Sequence, residues 1–163
     1  MRSGIQEMVQ ILQKEKPEAY ALVYGTGEFT EVYGIVSFYS IWMGTLVVAH
    51  IAGFPIEEEA CKGRIWSFHI HEGSECTGNE TDPFANTKFH YNPDDCLHPE
   101  HAGDLPPLFS NHGIAIQIFY TDRFQPEEVI GRTVVIHDMP DDFRTQPSGD
   151  SGSKIACGEI VKQ

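Results

Sequence analysis

Seven strand-like segments recur along this chain, each closed by turn residues and with no helical pattern between them: Tyr20–Tyr24, Thr30–Ile41, Thr45–Ile51, Arg64–His71, Gly113–Tyr120, Arg132–His137 and Lys154–Val161. Strands in unbroken succession leave no crossover helices for a parallel sheet. They predict an all-β antiparallel sandwich or barrel. Fifteen glycines and ten prolines supply the turns, and 163 residues, 40% of them hydrophobic, suffice for one globular core.

One helix is expected, ahead of the strands. Ile5, Met8, Val9 and Leu12 fall at helical spacing, with Ile11 widening the apolar face. Ser3 and Gln6 form an S-x-x-Q capping box, and Pro17 ends the segment. Residues 1–18 therefore read as an amphipathic extension of a domain over 19–163. The polar face of this helix is not enriched in lysine or arginine, which argues against a membrane-surface role.

From Val32 to Ile56 there is no charged residue, a length that would suit a membrane span. The flanks are acidic, Glu31 on one side and Glu57-Glu58-Glu59 on the other, and the run contains Gly34, Gly44, Gly53 and Pro55. It reads instead as two buried strands, "GIVSFYSI" and "TLVVAHIAG", joined near Met43-Gly44. The formal charge of −13 argues against nucleic acid and acidic lipid as partners. An anionic substrate would need a local positive funnel. No signal peptide is recognised at the first residues. The chain as written is expected in the cytoplasm, or exported if an upstream signal has been removed.

"WSFHIHEG", Trp66–Gly73, carries the chemistry. As a strand it sends Trp66, Phe68 and Ile70 to one face and Ser67, His69 and His71 to the other, so two imidazoles project together as a chelate. Two further stretches, Glu72–Asn111 and Asp138–Ser153, are too long for hairpins. The first holds Cys76, His90, Cys96, His98, His101 and Asp104, and "HPEHAGD" places His98, His101 and Asp104 at steps of three. Imidazoles with one carboxylate suit zinc, copper or iron. Gly63, His69, His71 and Glu75 also match the first half of the cupin motif, G-x5-H-x-H-x3-E, but its continuation fails at Asp82.

The segments "FHIHEG", "FHYNP", "HPEHAGDL", "GRTVVIHDMPDD" and "GSKIACGEI", in this order over Phe68–Ile160, together resemble the copper/zinc superoxide dismutase family. Weaker similarity reaches back to Tyr20. The resemblance implies an eight-stranded Greek-key barrel with metal-binding loops on its outside, and hence a superoxide dismutase using copper and zinc. It makes His69, His71, His90 and His137 copper ligands, with His90 bridging to a zinc site of His98, His101 and Asp104. It makes Asp141 the carboxylate that ties His69 to His98, and Cys76–Cys157 the disulfide. His50 and His112 match no ligand position and are read as ordinary histidines.

The chain departs from that pattern in several places. Lys154 stands where the family has its anion-guiding arginine, and the loop Asp138–Ser153 is short, with Arg144 its only cation. "PIEEEAC" looks like an insertion, the N-terminal helix is extra, and Cys61 and Cys96 have no counterpart and are expected unpaired. His90 and Lys154 are the residues expected to act on the substrate, superoxide, and a homodimer is a possible assembly. Two other readings follow from the same residues: a dismutase-like copper/zinc-binding protein with little activity, and a cupin-type single-metal enzyme.

Overall fold

In the computed structural model, which describes residues 4–56 and 65–163, the uncharged run after Glu31 folds as a hairpin rather than a span. The strands are β1 (Ala19–Gly25), β2 (Tyr33–Ile41), β3 (Gly44–Ala52), β4 (Ile65–Trp66), β5 (Phe68–His71), β6 (Leu108–Phe109), β7 (Ile114–Thr121), β8 (Thr133–His137) and β9 (Lys154–Lys162). β2 and β3 pair antiparallel from Tyr33↔Ala52 to Ile41↔Gly44, and the two-residue turn Trp42-Met43 closes them. Trp42 takes φ 54°, the positive value that such tight hairpin turns demand. Among the described residues no helix is long and apolar enough to cross a membrane.

Seven strands form one curled sheet in the order β5-β8-β9-β1-β2-β3-β7, and β4 pairs only with β6. The expected single strand Arg64–His71 is divided at Ser67, and Arg64 lies outside the described residues. The reason is a change of partner. Ile65 and Trp66 pair with Phe109 and Leu108, whereas Phe68–His71 pair with Thr133–Ile136. At the junction the Ser67 N–H donates to the Met139 carbonyl, and the Ser67 carbonyl accepts from the His137 N–H. The β4–β6 ribbon thus leads away from the β5 edge toward the β7 side, where the Gln117 side chain donates to the Pro106 carbonyl.

The concave side holds the main core, with Val23, Val36, Phe38, Val47, Ile51, Phe68, Ile70, Leu108, Val134, Ile136 and Ile160 almost wholly excluded from solvent. Besides the short 3₁₀ turns Gly27–Phe29 and Ala85–Thr87, two elements escaped the sequence reading. β6 is two residues long, too short to show alternation. A helical turn, α2 (Pro126–Val129), opens with Gln125 as N-cap and Glu128 reaching back to the Gln125 N–H. The N-terminal helix is α1 (Gly4–Lys14). It docks through Ile11 and Met8 onto Ile41, Leu46, Tyr39 and Val48, and Glu7 accepts from the Trp42 indole N–H at 2.8 Å. Ile5, Val9 and Leu12 remain exposed. Ser3 of the expected capping box lies outside the described residues.

Candidate metal centre

β5 and β8 are neighbours in register, with His69 opposite Val135 and Phe68 opposite Ile136. Period two therefore puts His69, His71 and His137 on the convex side while Phe68, Ile70, Val134 and Ile136 fill the core. A register shift in the β8–β9 ladder brings Lys154, rather than Ile155, opposite His137. The convex side is not open to solvent here. Loop 72–107 folds back over β5: the Ile70 N–H donates to Gly103, and Tyr91 and Gly103 bond to Ile70 and Tyr91 in turn. His69 and His71 are consequently both buried, at 0% and 2% exposure, which two surface histidines on a half-buried strand would not be.

The seven residues expected as ligands come together in two groups that share His90. His69, His71, His90 and His137 form one, and His90, His98, His101 and Asp104 the other, with the ligand atoms of each within 4.8 Å of one another. His50 and His112 are in neither. The second group is built by consecutive turns: Glu100 N–H donates to Leu97, Asp104 N–H to His101, and Asp104 Oδ2 accepts the His101 N–H at 3.0 Å. That winding makes the step-of-three spacing converge on one point.

Three of the imidazoles, His69, His71 and His98, are oriented from behind by one nitrogen. His69 Nε2–H donates to Asp141 Oδ2 at 2.8 Å, His71 Nδ1–H to the Lys88 carbonyl at 3.0 Å, and His98 Nε2–H to Asp141 Oδ1 at 2.9 Å. His90 Nδ1 lies 2.7 Å from Asp104 Oδ1. The nitrogens facing inward have nothing of the kind. His69 Nδ1, His90 Nε2, His98 Nδ1 and His101 Nδ1 are buried without a hydrogen bond, and His71 Nε2 sits 3.3 Å from His137 Nε2. Buried nitrogens that are unsatisfied in one small volume carry a desolvation cost that a cation removes. The donor set, imidazoles with one carboxylate in the second group, fits copper and zinc.

Electrostatics favour the ligand forms. Burial lowers the pKa values of His69 and His71 well below the ordinary imidazole value, helped by neighbouring histidines, and burial first, then His90, pushes His137 down to about 3. Burial likewise lowers His101. Asp104 is held below the usual carboxylate range: burial opposes this, but the hydrogen bond from His90 and the charges of His90, His98 and His101 outweigh it. At neutral pH these groups are neutral imidazoles and a carboxylate, the forms that bind metal.

Asp141 couples the two groups, since its two oxygens hold one imidazole of each. Gly149, at φ +71°, packs against it, and a Cβ there would collide with Asp141 Oδ1. Asp141→Ala is expected to weaken metal retention by about 10- to 100-fold while leaving the strand content unchanged. Competition with a chelator, read beside far-UV circular dichroism, checks this; retention equal to the parent's would remove Asp141 from the design.

A cavity of about 530 Å³ opens onto the first group, lined by His71, His90, His101, His137, Lys88 and Lys154 among others. Lys154 is at the expected place, but its ammonium is engaged: it donates to Asp82 Oδ2 at 2.8 Å and to the Phe84 carbonyl at 3.1 Å. Lys88 escaped the sequence reading. It is exposed and takes φ 62°, ψ −134°, a conformation rare outside glycine, with its carbonyl held by His71. Nothing in "TKFH" marks it beforehand, because its role depends on a backbone angle and a partner seventeen residues away. Cys76 and Cys157 are disulfide-bonded, and Cys96 is the one free cysteine among the described residues; Cys61 lies outside them.

A profile of copper/zinc superoxide dismutases (SODC) matches residues 32–160. "Superoxide dismutase [Cu-Zn] 2" of Aquifex aeolicus (strain VF5) is 32% identical over 145 residues, covering 80% of each chain. "Extracellular superoxide dismutase [Cu-Zn]" of Drosophila melanogaster is 32% identical over 158 residues, 87% of this chain and 82% of that one. In fold, the chain is similar to the copper/zinc superoxide dismutase from Brucella abortus, with a TM-score of 0.70 at 24% identity, covering 87% of this chain and 99% of that one. With a profile that spans most of its length and relatives at this identity, the chain belongs to the copper/zinc superoxide dismutase family.

Proposed function

We propose that this protein dismutes superoxide, with copper held by His69, His71, His90 and His137 and zinc by His90, His98, His101 and Asp104. The observation that carries the proposal is the single imidazole of His90 serving both groups, one nitrogen toward Asp104 and the other buried without a partner among His69, His71 and His137. When bound, copper supplies one-electron redox chemistry, which balances as two superoxide anions and two protons giving one dioxygen and one hydrogen peroxide. His90 is placed to hold a proton at Nε2 and release it again, while its Nδ1 side stays anchored beside Asp104. Asp141 and the Lys88 carbonyl keep the other rings aimed. The segment 1–18, which carries α1 (Gly4–Lys14), is an appendage to this machinery, whose parts all lie within 19–163.

Lys88 and Lys154 are the two lysines in the cavity wall, which also carries Glu72, and they are the groups placed to draw an anion toward a −13 chain. Lys88 presents an exposed charge at the wall, and Lys154 a half-buried one whose charge is felt at His137. Lysine is a point charge without the planar fork of arginine, so docking of a small anion is less directed. The expected enzyme is active but below the diffusion ceiling of roughly 10⁸–10⁹ M⁻¹s⁻¹. Its rate falls with added salt, because screening weakens the attraction. Lys88→Glu with Lys154→Gln should lower the rate about tenfold and abolish that fall without loss of copper, and Lys154→Arg should raise it. Equal rates in parent and variants would show that neither lysine guides the anion. The function itself is tested by assaying superoxide consumption after loading with copper and zinc. Both metals bound without turnover would instead identify a metal-binding relative.

A further inference from the structure

Loop 72–107, which carries the second metal group, is tied along one side to β5, where the Leu105 N–H donates to the Phe68 carbonyl and the Ile70 N–H to that of Gly103. β5 is one edge of the seven-stranded sheet and β7 is the other. From the β7 side, the turn over residues 99–104 is met by a guanidinium. Arg123 stands in the connection between β7 and α2. Its Nη1 donates to three main-chain carbonyls of the turn: Pro99 at 3.0 Å, His101 at 3.1 Å and, most weakly, Asp104 at 3.4 Å. Two of those carbonyls belong to members of the second group, His101 and Asp104. Nη2 donates to Glu100 Oε2 at 3.2 Å.

We infer that Arg123 is a positioning residue for the second metal group, its guanidinium setting the peptide planes of the turn so that the His101 ring and the Asp104 carboxylate converge before an ion binds. The inference rests on the reading of that group as the zinc site. A peptide is planar, so a donor on its carbonyl also fixes the direction of the N–H beyond it. Two of the three peptides are held in this way at both ends. The N–H beyond Pro99, that of Glu100, donates to Leu97, and the N–H beyond Asp104, that of Leu105, donates to Phe68 in β5. Asp104 is thereby pinned between the two edges of the sheet. The base of Arg123 is itself fixed. Phe124, the next residue, is 2% exposed, packs edge-on against Phe38, and its carbonyl accepts from the buried Thr45 hydroxyl at 2.8 Å. The guanidinium thus carries the position of the core into the metal turn. Its fork of donors can span several carbonyls, which the compact ammonium of lysine does less well. The Glu100 partner is a different matter. Its side chain is 70% exposed and that of Arg123 36%, and an ion pair so open to water contributes little.

Cobalt(II) in place of zinc tests this, because it gives a visible spectrum where zinc is silent. The full chain is loaded anaerobically with colourless copper(I) and then with cobalt(II), as parent, Arg123→Met, Arg123→Lys and Glu100→Gln. Methionine keeps an unbranched apolar stem and removes every donor. Arg123→Met is expected to alter the cobalt spectrum and to hold cobalt and zinc about 10- to 100-fold less tightly against a chelator. Its copper retention and far-UV circular dichroism should match the parent's. Arg123→Lys should recover part of the affinity, and Glu100→Gln should behave as the parent does. An Arg123→Met protein with the parent's spectrum and retention overturns the inference. So does a Glu100→Gln protein that loses as much, since the ion pair would then be the tie. Equal loss of copper and cobalt together with loss of strand content also overturns it, leaving Arg123 a residue of the fold alone. A parent that takes up no cobalt is a separate result: it overturns the zinc reading, and this inference with it.

Discussion

Replacing His90 with alanine is expected to empty both metal positions and to reduce superoxide turnover to background. His90 is the one side chain in both groups: its ring lies tilted 3.9 Å, centroid to centroid, from His69 and edge-on 5.0 Å from His71, while Nδ1 lies 2.7 Å from Asp104. An imidazole carries two nitrogens and can serve two ions at once, which alanine cannot. The substitution also leaves the buried Asp104 carboxylate without its closest partner. Asp104→Ala offers the contrast. It removes a residue of the second group only, so zinc should be lost first and copper retained longer. Elemental analysis after loading and dialysis reads both variants, and the visible spectrum of bound copper reports on the first group. Unchanged content of both metals in the His90 variant would remove the two-metal reading.

Breaking the Cys76–Cys157 disulfide is expected to cost about 4 kcal/mol, which for a chain of this size corresponds to a fall of about 10 °C in the unfolding midpoint. The two cysteines are 81 positions apart, so the bond closes a long segment that includes all of loop 72–107 beyond residue 75. It joins that loop to β9 beside Phe84 and Val135, and the Cys76 N–H donates to Glu159 Oε1. Metal held by His90, His98, His101 and Asp104 would add a second tie within this loop, so the loss should be largest in the metal-free protein and smaller in the loaded one. Thermal unfolding of Cys76→Ala/Cys157→Ala beside the parent, each with and without metals, checks both statements. A midpoint unchanged in the metal-free form would mean that the loop is held by its other contacts.

Much of the site could be read from the chain. His69 and His71 alternate with Phe68 and Ile70, and a strand's period of two sets which face each takes. "HPEHAGD" winds His98, His101 and Asp104 together because turns are local. The hairpin of β2 and β3 and the helix α1 are likewise local patterns, of alternation and of helical spacing. The identity of the metals, the pairing of the cysteines and the role of Asp141 came from resemblance to a family.

What only the tertiary structure decided are matters of partnership between distant residues. Ser67 divides a strand because β4 and β5 find different neighbours, and periodicity does not encode which strand lies alongside. The histidines on the convex side are buried because a loop returns over them. Lys154 is engaged by Asp82, 72 positions earlier, and Lys88 enters the cavity wall through a backbone angle that its residue type disfavours. Leu22, Ile35 and Ile116 each read as an isolated outward apolar residue on its own strand. They become one surface only when β1, β2, β3 and β7 lie side by side in register, because a strand's alternation sets the direction of its side chains and the sheet alone sets their neighbours.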